Sequence, residues 1–141
     1  MERKTIAILA AAAGLLASAS VLAADHKIPT APKEYLDMKN PLKETGDVVD
    51  KGQKIYEKKC KKCHGEKGDG KGSSADKLEV KPPNFAAPGY LKGRSDGQLF
   101  FIISKGSVNT DMDDFGPGSD SNLGKDELWS VVTYLRKAFT K

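Results

Sequence analysis

Five consecutive residues, Cys60-Lys61-Lys62-Cys63-His64, set the chemistry open to this chain. Two thiols two residues apart, followed at once by an imidazole, form the attachment pattern of a c-type haem. Each thiol adds to one vinyl group of the porphyrin, and the adjacent imidazole reaches the iron from the proximal side. Covalent links of this kind hold the group in a domain too small to grip it otherwise. The competing chemistries fail on counting. A structural zinc site needs four ligands, and the chain offers two Cys and two His, with His26 far from the motif. A redox Cys-x-x-Cys needs a βαβ setting that the pattern lacks. A simple disulfide would leave His64 without a role. One haem c held by Cys60 and Cys63, with His64 on the iron, is therefore the expected cofactor.

The elements that must position these residues begin after an export signal. Glu2-Arg3-Lys4 is a short, net basic head, and an uncharged run rich in Ala, Leu and Ile follows from Thr5. Val21-Leu22-Ala23 then suits a signal peptidase, so residues 1–23 are expected to be a cleaved signal peptide and the protein periplasmic. An uncleaved anchor is the alternative, because the run is just long enough to span a bilayer. Its Ala, Ser and Gly content argues against that, and no membrane span is expected after cleavage. No Cys follows the run, so lipid attachment at a new N-terminus is excluded. The chain has 141 residues and a formal net charge of +4, which falls to +3 without the signal peptide and nearer neutrality with two haem propionates. No basic stripe with interleaved aromatics appears, which excludes a nucleic-acid binder.

Residues 24–46 carry Pro29, Pro32 and Pro41 and suggest an extended arm, with a short turn near Lys33 to Met38. The domain proper is expected over 47–141. A first helix is expected from Asp47 as N-cap through Gly52, Ile55 and Tyr56 towards Cys60. Gly52, Tyr56 and Cys60 are four apart and share a face. A glycine inside that helix points to close approach by another helix. A Gly-rich loop spans Gly65 to Pro83. A second helix is expected over Asp96 to Lys105, with Ser95 and Gln98 as a capping box and Gly106 as its stop. A loop carrying Met112 leads to a last helix from Lys125 to about Phe139, apolar at Leu128, Val131, Val132, Leu135 and Phe139. The fold class is thus all-α, three to five helices with long loops wrapped around one haem.

From Asp47 onward the chain resembles the class I cytochrome c family. The resemblance rests on Gly52-Gln53-Lys54-Ile55-Tyr56, Cys60-Lys61-Lys62-Cys63-His64-Gly65, Pro82-Pro83-Asn84-Phe85, Met112 and Leu128-Trp129-Ser130-Val131-Val132-Thr133-Tyr134-Leu135-Arg136. It implies that the first and last helices cross at Gly52, with Val131 and Tyr134 in the gap. It also implies Met112 as the second axial ligand of the iron and the Pro83 carbonyl as acceptor for Nδ1–H of His64. Met38 and His26 are the other candidate ligands. Many relatives have Pro directly after this Met, where the chain has Asp113. The function implied is electron transfer between redox partner proteins by a monomeric, non-enzymatic carrier. A haem subunit docked on one oxidoreductase, with the arm as docking element, is the alternative. A ligand-binding sensor or enzyme with an open iron site is the third reading.

Other features carry less. Lys58, Lys59, Lys61 and Lys62 crowd the motif and suggest a basic rim for an acidic partner. The run from Gly65 to Gly72 mimics a phosphate loop, but Gly72 stands where Ser or Thr is needed and no strand precedes it. Asp111, Asp113 and Asp114 fail as a calcium loop because Phe115 breaks the alternation. Lys92 and Arg94 are candidates to meet haem propionates. Intact mass of protein from its native host is expected to start at Ala24, and a retained Met1 would establish the anchor instead.

Overall fold

The computed structural model describes residues 28–141. The signal segment, the start of the arm and His26 lie outside the described residues. Within them every regular element is helical: α1 (Lys33–Leu36), α2 (Gly46–Ile55), a π-type turn (Tyr56–Cys60), α3 (Lys61–His64), a 3-10 turn (Ala75–Lys77), α4 (Asp96–Lys105) and α5 (Lys125–Phe139). No helix among the described residues is long and apolar enough to cross a membrane.

α2 starts two residues earlier than Asp47 as N-cap would have it, because Thr45 is the cap and its hydroxyl accepts from Val48 N–H. The helix also does not end near Cys60. It widens at Tyr56–Cys60, where Lys61 N–H reaches back five residues to the Tyr56 carbonyl, and resumes as α3 through His64. The chemistry-bearing residues therefore sit on the final turns of one long helical run.

α2 and α5 cross at Gly52. A Cβ there would run into the Ser130 carbonyl oxygen and come within 2.8 Å of Tyr134 Cβ. The nearest contacts are to Ser130 backbone and Tyr134, the second of the two expected partners, and Val131 is not among the three nearest. Val131 is buried in the core instead. α5 buries Leu128, Trp129, Val131, Val132, Leu135 and Phe139, as its apolar period requires, and Trp129 stacks on Phe100 of α4 with centroids 4.3 Å apart. Glu127 caps the start of α5 by accepting from Gly124 N–H. Near its other end, Arg136 pairs with Asp96 at 2.8 Å and donates to the Leu91 and Arg94 carbonyls, which fixes the loop before α4.

The arm from residue 28 lies on the domain. Ser95 caps α4 through Gln98 N–H, but the Gln98 side chain does not return the bond as a capping box would. Its amide instead forks onto the arm, accepting from Ala31 N–H at 2.7 Å and donating to the Pro29 carbonyl at 2.6 Å. Tyr35 packs edge-on against Phe101, and its carbonyl lies where a side chain on Gly97 would be. Asn40 then donates to Thr133 Oγ1 and the Trp129 carbonyl of α5.

A methyl group at Gly52 has no room, whereas one at Gly46 meets nothing within 4 Å. Gly52→Ala is expected to lower stability by about 1–3 kcal/mol through overpacking. Gly46→Ala should instead leave it unchanged or raised by about 0.5 kcal/mol. Denaturant unfolding of the two variants checks both.

Candidate functional site

α3 is only one turn long, so its carbonyls have no helical N–H ahead of them. The loop that follows supplies the donors one by one. Gly65 N–H reaches the Lys61 carbonyl, Ser74 N–H that of Lys62, Gly72 N–H that of Cys63 and Gly70 N–H that of His64, all at 2.9–3.1 Å. Space and turn direction both demand glycine here. A Cβ on Gly72 would fall on the Lys62 carbonyl, while Gly70 has φ +75° and lies under the Pro82 and Pro83 carbonyls. This is the structural use of the glycines that mimicked a phosphate loop. Phe85 N–H then bonds the Gly68 carbonyl at 2.7 Å, which folds the Pro82–Phe85 segment back over the motif.

Tyr56 completes the clasp from inside. It is 1% exposed, its hydroxyl donates to the Gly65 carbonyl at 2.6 Å, and its ring packs on Tyr134 and Phe139. Burial, reinforced by Cys60 and Tyr134 nearby, pushes the phenol well above its ordinary range. It stays a neutral donor at any physiological pH.

His64 is 9% exposed and lies parallel to the Phe85 ring with centroids 4.6 Å apart. Burial lowers its pKa to about 4, so at neutral pH the imidazole is uncharged and keeps a lone pair free for a metal. Its Nδ1 is buried and makes no hydrogen bond. The bond to the Pro83 carbonyl that the resemblance implied is not made here. Cys60 and Cys63 are free, half-buried thiols. Burial, with Cys63 adding and Lys59 opposing, pushes Cys60 up to about 12. A thiol held protonated in this way is no nucleophile of the activated kind.

The opposite wall comes from the loop after α4. Gly106, at φ +73°, lets the chain double back against residues 112–114, and Ser107 N–H bonds the Met112 carbonyl at 3.0 Å. Thr110 Oγ1 accepts from Met112 N–H at 3.1 Å. Phe115 and Gly116 N–H groups then take the Ile103 and Ser104 carbonyls of α4, so Met112 is pinned from both sides.

Between these walls lies a cavity of about 230 Å³ that brings together Cys60, Cys63, His64, Pro83 and Met112. Its remaining surface is largely apolar, with Leu78, Val80, Phe85, Leu99, Ile103 and Leu135 among the residues that line it. Two free thiols, an uncharged imidazole with an orphaned nitrogen and a thioether around one apolar slot suit a flat macrocycle attached through sulfur. Of the other candidates, Arg94 lines the cavity and Lys92 does not. Met38 does not line it either and lies beside Gly97 of α4. Among the described residues no group of three His, Cys, Asp or Glu could hold a separate metal ion. Sequence reasoning missed the roles of Gly70, Gly72 and Tyr56, although four glycines within eight residues behind a haem motif were the available signal.

Comparison with known proteins agrees with this arrangement. The family described as Cytochrome c matches residues 49–139. A chain of the reducing HAO-like protein complex Kustc0457/Kustc0458 of Kuenenia stuttgartiensis is similar in structure. Its TM-score is 0.61 at 30% identity, over 74% of this chain and 50% of that one. Cytochrome cL of Hyphomicrobium denitrificans gives a TM-score of 0.50 at 28% identity, over 76% of this chain and 62% of that one. Cytochrome CL of Methylophaga aminisulfidivorans, at 23% identity and a TM-score of 0.50, shares the fold. The chain thus spans less than two thirds of the length of each. No curated protein sequence matches it.

Removing the Tyr56 hydroxyl leaves the buried Gly65 carbonyl without its donor. Tyr56→Phe is expected to cost about 1–3 kcal/mol in denaturant unfolding, since the ring packing is kept and only the bond is lost.

Proposed function

Because this chain belongs to the cytochrome c family, whose members carry covalently attached haem c and transfer electrons with it, we propose that it is a single-haem electron carrier with His64 and Met112 as axial ligands, working outside the cytoplasm. The observation that carries this reading is the convergence of Cys60, Cys63, His64 and Met112 on one apolar cavity. The two thiols would hold the group through thioether links, and neutral His64 would supply a nitrogen to its iron. Pro83, which lines the same cavity, is the acceptor proposed for the His64 Nδ1–H once the site is filled. Met112 supplies sulfur from the opposite wall, held there by Thr110 and Ser107. When bound, the group supplies one-electron chemistry at iron, and a His/Met pair favours a capped, low-spin site.

Around the ligands the wall is largely apolar, and its two carboxylates, Asp111 and Asp113, are exposed beside Met112. Export is supported by the basic head, apolar run and small residues of 1–23.

A second reading has an observation of its own. One structural relative, at 30% identity, is a chain of a redox protein complex. By that likeness the chain would be a haem subunit of a larger oxidoreductase, with the packed arm of residues 28–45 available as a docking element. Stable co-purification with a partner from the native host would favour it over a free monomeric shuttle.

The reduced protein is expected to keep its low-spin absorption spectrum when carbon monoxide is added. Met112→Ala should open the site, give a high-spin spectrum and shift on carbon monoxide. A parent protein that shifts readily would move the sensor or enzyme reading to the front, and a Met112→Ala variant with an unchanged spectrum would remove Met112 as ligand.

A further inference from the structure

The arm reaches the cavity itself: its first described residue, Ile28, lines the same space as Cys60, His64 and Met112. Ile28 is half-buried, and it precedes Pro29, whose ring disfavours a helical turn there. A second and more open hollow is lined by Pro29, Thr30 and Leu36 of the arm and by Ser95 and Gln98 at the start of α4. Two residues border both spaces, Ile28 and Arg94. They form the partition between the cavity and the hollow.

Arg94 is fixed by contacts of its own. Its guanidinium donates to the Tyr90 carbonyl at 2.6 Å and lies 3.7 Å over the Tyr90 ring, and its carbonyl accepts from Arg136. Ile28 has an apolar side chain, so its place depends on how the backbone after it is held. One side chain holds that backbone. Gln98 is 8% exposed, and its amide accepts from Ala31 N–H at 2.7 Å and donates to the Pro29 carbonyl at 2.6 Å. The bonded carbonyl belongs to the residue next to Ile28. A buried amide is costly unless its polar atoms are bonded, and here the arm bonds both ends of it.

We infer that Gln98 is a positioning residue for the haem site: it latches the arm so that Ile28 closes the cavity against water, and this closure keeps the reduction potential up. The inference rests on the electron-carrier reading and adds what tunes the carrier. Iron bears one more positive charge when oxidised, and a wall without water stabilises that charge less. Removing the cover admits water, favours the oxidised form and lowers the potential. A merely structural role for the latch predicts something different. The arm is tied again at Asn40, which donates to Thr133 Oγ1 and the Trp129 carbonyl of α5, and none of these three residues lines the cavity. Loss of either tie lowers stability, but loss of the Gln98 tie alone reaches the iron.

The test is a redox titration of the haem-loaded protein with small mediators, beside Gln98→Ala, Ile28→Ser and Asn40→Ala. At a fixed ambient potential, Gln98→Ala and Ile28→Ser are each expected to lower the ratio of reduced to oxidised protein by about threefold or more, while Asn40→Ala stays within about 1.5-fold of the parent. Hydrogen exchange at the Ala31 amide should quicken by about tenfold or more in Gln98→Ala and stay unchanged in Ile28→Ser. Ile28→Ser leaves both Gln98 bonds in place, since they go to backbone, so it decides the matter even where Gln98→Ala does not fold. A parent-like potential in Ile28→Ser or in folded Gln98→Ala, or an equal fall in Asn40→Ala, would overturn the proposal. Potentials read at equilibrium test the arm whether or not carbon monoxide binds. A reduced parent that binds carbon monoxide and gives no electron to hexacyanoferrate would overturn the electron-carrier reading alone, and the titration would still decide the role of Gln98.

Discussion

Four peptide carbonyls at the end of a helix, those of residues 61–64, must find donors, and much of the local structure follows from how they do. The motif places both thiols and the imidazole within one turn, so the helix has to stop at His64 with its last carbonyls unpaired. The same turn also forms part of the wall of an apolar cavity, through Cys63 and His64. The chain answers with a loop that doubles back and offers backbone N–H groups from residues 65, 70, 72 and 74. Carbonyls can be approached from that side only where the approaching residues lack side chains, which is why Gly70 and Gly72 stand there. Once the loop is committed, Gly65 and Gly68 present carbonyls of their own. Tyr56 takes the first and Phe85 N–H the second.

The same economy of side chains governs the crossing of α2 and α5. Gly52 brings the two helices close enough for Ser130 backbone to fill the space of an absent Cβ. Tyr56, one turn later at the start of the π-type turn, then reaches the cluster of Tyr134 and Phe139 on α5. Tyr56 therefore joins the helix crossing to the motif loop through a single side chain. Widening of the helix at Tyr56–Cys60 lies between these two duties. It shifts the register of Cys60 relative to Gly52, so the face shared by residues four apart does not run unbroken from the crossing to the thiols.

What the sequence made legible was what local pattern determines. α4 and α5 followed from apolar period and caps, and Gly52 announced a close approach because glycine inside a helix is otherwise a cost. The cofactor followed from five residues. The assignment of Met112 as a ligand rests on resemblance, since nothing local distinguishes a ligand thioether from a packed one. Thr45 and Asp47 can both cap α2, and local pattern does not choose between them. Elsewhere tertiary partners chose among local options. Gln98 can close a capping box on Ser95, but the arm offered its amide a donor and an acceptor at once, at Ala31 and Pro29. Val131 faces the core, and the contact at Gly52 went to backbone, which no side-chain pattern encodes.

The two walls of the cavity are built on different principles, and the difference bears on electron transfer. The wall with Cys60, Cys63 and His64 is fixed by a dense set of buried backbone bonds and by covalent attachment. The Met112 wall is a loop without helix, and Asp113 follows the methionine, so no proline stiffens it. Its order comes from its ends: Gly106 folds it against itself, Thr110 and Ser107 hold Met112, and Phe115 and Gly116 bind the carbonyls of Ile103 and Ser104. A ligand presented this way is constrained by its neighbours in sequence more than by packing above it. Electron transfer needs a ligand set that changes little between oxidation states, and pinning a short loop at both ends limits movement with few residues. Substitutions at Thr110 or Gly106 would therefore act on Met112, the second ligand proposed for the iron, without touching it, whereas those in the glycine loop would act through His64.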